Sequence, residues 1–289
     1  MSFITTFSMR LFHEPALWIE PYFPELREDL KMARMRISAR EYIARSIFIS
    51  FLVFVAEVPL LSFIFGLVFQ TFLFSFIFSF TISIFLAASF FFLSLNYPKL
   101  IAKERAKKIE KDLPFATLFL STIAGSKLPL YRIFSIFSEF GEYGEINREI
   151  SDITRGVEAF GMDINTSLQR AIERAPSKNF KDLLWGLLSI NKTGGEMDVF
   201  LREKSKALME EYRRKLYEYS RQLMLIIEIY LTAIVLGAIF FTILTAIMGG
   251  MAGGGGSLIV IQFLLIFIFI PLITFGLLFV IKSMNPGGG

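Results

Sequence analysis

Nearly all charged residues of this chain lie outside two long apolar blocks. The first block, residues 46–98, contains 53 residues, and the second, residues 222–281, contains 60. Each holds a single charged residue, Glu57 in the first and Glu228 in the second. Because a bilayer-spanning helix needs roughly 20 apolar residues, each block is long enough for two spans and a turn. The sequence therefore predicts an all-α, polytopic membrane protein with four transmembrane helices arranged as two hairpins.

The composition favours a membrane protein and excludes several functional classes. Hydrophobic residues make up 54% of the 289 residues, and the mean hydropathy is +0.57. The chain has no cysteine, which excludes disulfide bonds and thiolate metal sites. The net charge is +4, but lysine and arginine crowd the ends of the apolar blocks instead of forming a basic stripe with base-stacking aromatic residues. We therefore expect no nucleic-acid partner.

The distribution of positive charge predicts the orientation in the membrane. All lysines and arginines lie before residue 46, within residues 99–221, or at Lys282, whereas the expected hairpin turns near residues 66–71 and 249–257 carry no charge. The positive-inside rule then places both termini and the middle segment in the cytoplasm. The predicted layout in the cell membrane is an interfacial amphipathic region (1–45), a first hairpin (46–98), a cytoplasmic helical domain (99–221), a second hairpin (222–281) and a short cytoplasmic tail (282–289).

Residues 25–47 combine helical apolar spacing with many basic residues. Apolar side chains recur at Leu26, Leu30, Ala33 and Ile37, with lysine and arginine around them. We interpret this stretch as a single amphipathic helix that runs up to the membrane. It either docks on anionic lipid or serves as a topology signal with a solvated face, and the pattern is compatible with both.

The middle segment has helical periodicity broken by residues that cap helices, which predicts a cytoplasmic bundle of about six helices. The first is expected to start at Asp112 and Pro114. The sixth has no glycine or proline between Glu196 and Gly237, so we expect it to continue through Met248 into the membrane, over about 80 Å. The breaks between the predicted helices fall at Gly125, Pro129, Gly141, Gly144, Gly161, Pro176, Gly194 and Gly195.

The order of these breaks resembles the type II secretion system F-domain family, the platform proteins of type II secretion, of type IV and Tad pili, and of archaeal pili and archaella. The matching stretch runs over residues 113–216, between the two apolar blocks, and contains one such domain where many family members have two. Its segments are a Leu-Pro start and a small-residue stop (Leu113, Pro114, Ala124, Gly125), a Leu-Pro-Leu turn (Leu128, Pro129, Leu130), a glycine before a short helix (Gly161, Leu168, Ala171, Ile172) and a Gly-Gly-Glu break (Gly194, Gly195, Glu196, Leu201).

This resemblance implies a function and a set of partners. It implies a non-enzymatic platform in the cell membrane that docks a hexameric secretion ATPase and couples it to the assembly of pilin-like subunits. Because the chain has one F domain, the resemblance also implies a partner for it, either a second copy of the chain or a second F-domain subunit.

Two groups of charged residues are candidates for contacts or chemistry. Glu57 and Glu228 lie within predicted spans, where an ionisable residue either forms hydrogen bonds between helices or marks an ion path. The ion-path interpretation gives an alternative function, a small ion- or proton-coupled transporter. A second group lies at the predicted membrane edge, where it could meet lipid headgroups or an acidic ATPase surface. We call it the basic collar, and it consists of Lys103, Arg105, Lys107, Lys108, Arg213, Arg214 and Lys215.

The sequence has little that would support catalysis. His13 is the single histidine, and it lies in a proline-flanked stretch near the N-terminus. The Gly194-Gly195-Glu196 segment lacks the lysine that a phosphate-binding loop places after its glycines. We therefore predict no catalytic residue, no cofactor and no metal site.

Overall fold

The computed structural model describes residues 3–69, 71–140, 142–252, 260, 263–264, 267–268 and 270–284. Regular structure within these residues is helical throughout, without a strand, and this confirms the all-α prediction for the described part of the chain. A short 3₁₀ turn, Glu20–Tyr22, follows the first helix. The α-helices are α1 (Phe3–Ile19), α2 (Leu26–Met32), α3 (Ala39–Phe69), α4 (Phe72–Ala124), α5 (Leu130–Phe140), α6 (Gly144–Glu158), α7 (Ile164–Arg174), α8 (Lys178–Thr193), α9 (Met197–Ala252) and α10 (Ile270–Met284).

Three described helices, α3, α4 and α9, are long and apolar enough to cross a membrane. The predicted fourth span is described with gaps, and α10, which covers its end, has 15 residues. Of the predicted turn at residues 249–257, residues 249–252 continue α9, and residues 253–257 lie outside the described part. The count of four spans therefore stays a prediction.

The chain divides into two compact units at residues 202 and 203, inside α9. In the second unit, α9 and α10 are joined by a hydrogen bond of 2.7 Å between the Tyr230 and Thr274 hydroxyls. The structure confirms that the predicted sixth helix is uninterrupted through Met248. Its 56 residues correspond to about 84 Å of helix.

In the first unit, α3 and α4 form the predicted apolar hairpin. The Ser46 and Ser94 hydroxyls lie 3.0 Å apart at one end, and the Ser75 hydroxyl donates to the Phe65 carbonyl at 3.1 Å near the turn. Both pairs fit one antiparallel register. Between them, Ser79 and other small residues on the same face of α4 are buried, so the two helices can approach closely without large side chains between them.

Pro98 explains a further contact between α3 and α4. Proline has no amide hydrogen, so it leaves the carbonyl four residues earlier without its helical donor. That carbonyl belongs to Ser94, and the buried Tyr42 hydroxyl of α3 donates to it at 2.7 Å. The hydrogen bond therefore satisfies a backbone group that α4 itself cannot satisfy.

The predicted helix start at Asp112 and Pro114 is wrong. Helix α4 runs without interruption from the apolar hairpin to Ala124, with Pro114 buried inside it. Buried residues recur along one stripe of this helix on both sides of Pro114, and their packing outweighs the local cost of the proline. The stripe consists of Ala102, Ile109, Leu113, Ala116, Leu120 and Ala124.

The single amphipathic helix predicted over residues 25–47 is also wrong. Helix α2 ends where Arg34 adopts a left-handed conformation with φ of 58°. Helix α3 then starts with a reciprocal cap, in which the Glu41 amide donates to the Ser38 hydroxyl and the Ser38 amide donates to the Glu41 carboxylate. Residues 33–38 thus form a linker between two helices.

Helices α5 to α8 lie close to the boundaries that the capping residues predict. Asp163 and Ser177 cap the starts of α7 and α8 with their side chains, and Gly194 ends α8 with a φ of 76°. Glu110 of α4 accepts hydrogen bonds from the Ser177 hydroxyl and the Asn179 amide group, which fixes α8 against α4. The helices enclose a core that includes Phe134, Phe137, Ile150, Leu168, Phe180, Leu184 and Leu187.

Candidate functional site

A buried group of ion pairs lies where the linker after α2 meets α4, α6 and α7. Three arginines and three acidic residues are brought together from four parts of the chain. Helix α6 supplies all three acids, at a spacing of four and three residues that puts them on one helical face. We call this group the Glu149 cluster, and it consists of Arg34, Arg105, Glu145, Glu149, Asp152 and Arg174.

The Glu149 carboxylate is the centre of the cluster and has no exposed surface. One of its oxygens lies 3.1 Å from Nε of Arg34 and 2.7 Å from Nη2 of Arg105. The other oxygen accepts from Nε of Arg174 at 2.7 Å. A buried carboxylate is stable only when its charge is compensated, and three guanidinium groups provide that compensation here.

Arg105 is buried, with 9% of its side chain exposed. Besides Glu149, it contacts Glu145 at 2.8 Å, and its third nitrogen donates to the backbone carbonyl of Met32 at the end of α2. All three guanidinium nitrogens therefore have partners. The structure thus places Arg105 inside the protein, unlike the other members of the basic collar.

Glu145 has a lowered pKa within the cluster. Burial alone would raise the pKa of its carboxyl group, but hydrogen bonding and the positive charge of Arg105, with a smaller contribution from Arg148, outweigh it. The carboxyl therefore stays ionised below its ordinary range. The cluster as a whole combines three positive and three negative charges, so its charges compensate one another. Such an arrangement suits a contact that holds helices together better than a binding site for an ion.

The sequence contained two signals for this cluster. Arg105 falls on the apolar stripe of α4, three residues after Ala102 and four before Ile109, where an exposed residue would not be expected. On α6, the acidic face accompanies an apolar stripe that includes Ile146, Ile150 and Ile153. A basic residue on one core face and an acidic row on another indicate a buried pairing.

The remaining collar residues are exposed. In the first unit, Lys103, Lys107 and Lys108 lie on the surface of α4, and Lys108 pairs with Glu104 at 2.7 Å. In the second unit, Arg213, Arg214 and Lys215 lie on the surface of α9, and two of them pair with acidic residues one turn away. Exposed pairs of this kind contribute little to stability, so these side chains are available to a partner.

The acids of the two apolar helices α3 and α9 lie in different units and differ in exposure. Glu57 of α3 is half-buried, and one of its carboxylate oxygens is buried without a hydrogen-bond partner among the described residues. The register of the hairpin puts Glu57 at the level of Ser83 of α4, whose buried hydroxyl also has no partner there. Glu228 of α9 is exposed on an apolar helix.

The residues of the predicted F-domain motif have structural roles in the described part of the chain. Leu113 and Pro114 are buried in α4, and Gly125 follows its last residue. Gly161 and Gly194 adopt positive φ at the ends of α6 and α8, a conformation that glycine adopts without strain. Gly195 and Glu196 then connect α8 to α9.

Sequence reasoning missed one close contact. A Cβ atom on Gly186 of α8 would lie 2.2 Å from the ring of Phe200 at the start of α9, so a larger residue there would require the ring to move. Gly186 lies inside a helix with regular apolar periodicity, so the sequence gives no separate signal for this contact. The α8–α9 connection is therefore fixed on both sides of the Gly194-Gly195 break.

Chemistry-bearing side chains are sparse in the described residues. No group of three histidine, aspartate or glutamate residues there could hold a metal ion. His13 lies exposed on α1.

Comparison with known proteins finds one match to a family model. Residues 116–245 match the family model described as "Type II secretion system (T2SS), protein F". An uncharacterized protein of Methanocaldococcus jannaschii is 27% identical over 137 residues, which cover 47% of this chain and 23% of that relative. This chain therefore aligns with less than a quarter of the relative's length. No solved structure matches the chain.

Proposed function

We propose that this chain is a platform protein of a type IV pilus-like or type II secretion-like machine, because residues 116–245 match the family model of type II secretion system protein F. The family indicates a membrane protein of platform type. In the finer proposal, the chain crosses the cell membrane four times with both termini in the cytoplasm. Its cytoplasmic helices dock a hexameric secretion ATPase and couple it to the assembly of pilin-like subunits.

The observation that carries this proposal is the position of the matched domain relative to the apolar helices. Helix α4 contains both an apolar stretch suited to a bilayer and a core stripe of the helical bundle. Because the same helix serves both regions, a force applied to the bundle by a partner would be passed directly to the apolar hairpin. A platform requires such a connection and does not require an active site of its own.

The exposed collar residues are the proposed contact for the ATPase. They carry positive charge on the surface, and electrostatic complementarity with an acidic partner would accelerate and orient docking. Arg105 is not part of this surface, because its charge is compensated within the Glu149 cluster. The proposed contact residues are thus Lys103, Lys107 and Lys108 in the first unit and, separately, Arg213, Arg214 and Lys215 in the second.

Charge reversal tests this contact. Two variants replace either Lys103, Lys107 and Lys108 or Arg213, Arg214 and Lys215 with glutamate, and a matched control replaces the exposed Arg170, Lys178 and Lys192. We expect at least one collar variant to lose ATPase co-purification from native membranes by about tenfold and to lose filament formation. The control should retain both. Unchanged co-purification in both collar variants would refute the contact.

The proposal also includes a second copy of the chain or a second F-domain subunit beside α9. None of the residues in the apolar window of α9 is buried within the described structure, so lipid or another subunit must cover them. The absence of cysteine makes a clean test possible. Single cysteines placed at the exposed Leu236 or Phe240 should form cross-linked dimers in native membranes, and the absence of any cross-linked product would contradict the second copy.

One observation favours a second candidate function, a proton- or ion-coupled transporter. Glu57 has a buried carboxylate oxygen without a partner among the described residues, in an apolar helix. Intramembrane acids of this kind mark ion paths in many membrane proteins. In proteoliposomes, E57Q and E228Q should abolish proton flux if the chain is a transporter, whereas a platform has no flux to lose.

A further inference from the structure

A cavity of about 430 Å³ opens between the linker after α2, the start of α3 and α4. Pockets of roughly 300–1,000 Å³ are typical of sites that bind small molecules or headgroups. The residues around it belong to three segments of the first unit, and two of these, α3 and α4, are joined beside the cavity by the Tyr42–Ser94 and Ser46–Ser94 hydrogen bonds. Its lining consists of Met35, Arg36, Ile37, Tyr42, Arg45, Ser46, Ile49, Ser94 and Tyr97.

The lining combines positive charge and hydroxyl groups with an apolar wall. Arg36 and Arg45 supply two guanidinium groups, and Tyr97 adds an exposed phenol. Ile37 and Ile49 supply apolar surface, and the lining contains no acidic residue. A site of this composition favours a ligand that has a negatively charged group next to hydrocarbon.

The neighbouring arginines show that this positive charge is unusual. Arg34 pairs with Glu149 and Asp152, and Arg40 pairs with Glu20 at 3.0 Å. By contrast, neither Arg36 nor Arg45 forms an ion pair with a carboxylate among the described residues. Within one short segment, the arginines that do not line the cavity are neutralised and the two that line it are not.

The cavity lies at the depth of lipid headgroups if α3 and α4 span a bilayer. Arg45 is the last charged residue before the first apolar block, and Lys99 is the first after it. Ser46 and Ser94, which line the cavity, therefore lie near the end of the apolar stretch on each helix. Positively charged pockets between helices at this depth are suited to the headgroups of anionic lipids.

We propose that this cavity binds the phosphate of an anionic phospholipid such as phosphatidylglycerol. Arg36 and Arg45 hold the phosphate oxygens by charge-assisted hydrogen bonds, and Ile37 and Ile49 contact the first carbons of the acyl chains. The bound lipid would join the linker to the hairpin beside the Glu149 cluster. This inference rests on the proposed placement of α3 and α4 in a membrane and is independent of the ATPase contact.

Lipid titration of the purified full-length chain, followed by native mass spectrometry, tests the site. We expect the wild-type protein to bind phosphatidylglycerol about tenfold more tightly than phosphatidylcholine. The R36Q/R45Q variant should lose this preference. A control, K178Q/K192Q, removes the same amount of charge from exposed positions on α8 and should keep it.

Two further measurements separate the cavity from general surface charge and lipid from free phosphate. The I49W variant fills the cavity while both arginines remain, so it should also lose the preference for phosphatidylglycerol. Millimolar inorganic phosphate should not displace the lipid. A preference that survives in R36Q/R45Q or I49W, an equal loss in the control, or displacement by phosphate would each overturn the proposal. None of these outcomes depends on whether an ATPase binds the chain.

Discussion

On α4, the buried Arg105 and the exposed lysines on either side of it differ in what their positive charge does. Arg105 points into the Glu149 cluster, where three guanidinium groups surround a fully buried carboxylate. Lys103 and Lys107, two residues before and after it, lie on the opposite, exposed side of the helix. Buried charge here fixes the arrangement of helices, because removing one partner leaves the others uncompensated. Exposed charge contributes little to stability and is available for partners.

The largest effect is expected when the centre of the cluster loses its charge. In Glu149→Gln, three arginines lose a shared partner in a buried site, so the free energy of unfolding should fall by about 3–5 kcal/mol. Thermal and urea unfolding of the detergent-solubilised protein, followed by circular dichroism, measures this change. The control Glu104→Gln removes the partner of Lys108 in an exposed pair and should change it by less than about 0.5 kcal/mol. Equal effects of the two variants would abolish the distinction between buried and exposed charge.

A conservative substitution at Arg105 should cause a smaller loss of stability than Glu149→Gln and should still distinguish buried from exposed positive charge. Arg105→Lys keeps the charge but cannot reach Glu145, Glu149 and the Met32 carbonyl together, so we expect a loss of about 1–3 kcal/mol in the free energy of unfolding. Lys107→Arg on the exposed side should have no measurable effect. The same unfolding measurements apply, and a neutral Arg105→Lys would show that the geometry of the guanidinium group is unimportant.

The direction in which stability changes with pH should reveal the contribution of the Glu149 cluster. The pKa of Glu145 is lower in the folded protein than its ordinary value, so its contribution is present above that ordinary value and is lost as the pH falls through the folded pKa. The unfolding temperature should therefore fall as the pH drops below about 4.5. In Glu145→Gln, the part of this fall in the unfolding temperature that comes from Glu145 should be absent. A variant with an unchanged acid profile would exclude Glu145 as its source.

The smallest effect is expected for the exposed pair of α4. Exchanging the two residues, as in Glu104→Lys with Lys108→Glu, keeps the pair one turn apart and should alter the free energy of unfolding by less than about 0.5 kcal/mol. The same exchange reverses the local charge pattern on the collar. A large loss of stability would indicate that this surface is packed in a way that its exposure does not reveal.

Much of the fold follows from local patterns in the sequence. The apolar blocks predict the α3–α4 hairpin, and Asp163, Ser177 and Gly194 mark helix ends because their capping chemistry depends on a few neighbouring residues. The uninterrupted run after Glu196 likewise predicts one long helix. These features are local, so a reading of residue spacing is sufficient for them.

The two errors in helix boundaries have different causes, a distant contact that overrides a local signal at Pro114 and a local capping signal that the apolar spacing conceals at Arg34. Pro114 normally suggests a helix start, but the core stripe on both sides of it keeps α4 continuous. The break at Arg34 was missed because the apolar spacing of residues 25–47 continues through it, although the Ser38 and Glu41 capping pair was visible in the sequence.

The candidate site was predicted in part. Six of the seven collar residues are exposed next to the apolar blocks, and their contact with a partner stays a proposal. Arg105 was grouped with them because spacing from the membrane alone does not show which side of α4 a residue occupies. Its position on the apolar stripe and the acidic row of α6 would have separated it. The contact between Gly186 and Phe200 had no such signal, because it depends on how closely two helices approach.

The hydrogen bond from Tyr42 to the Ser94 carbonyl has a mechanical consequence. Pro98 is a position at which α4 would bend easily, and it lies where the helix leaves its apolar stretch. The Tyr42 hydroxyl of α3 donates a hydrogen bond to α4 at this position. Bending α4 there would break this hydrogen bond and leave a carbonyl that has no other donor in its own helix, so the bond opposes bending of the helix at its proline.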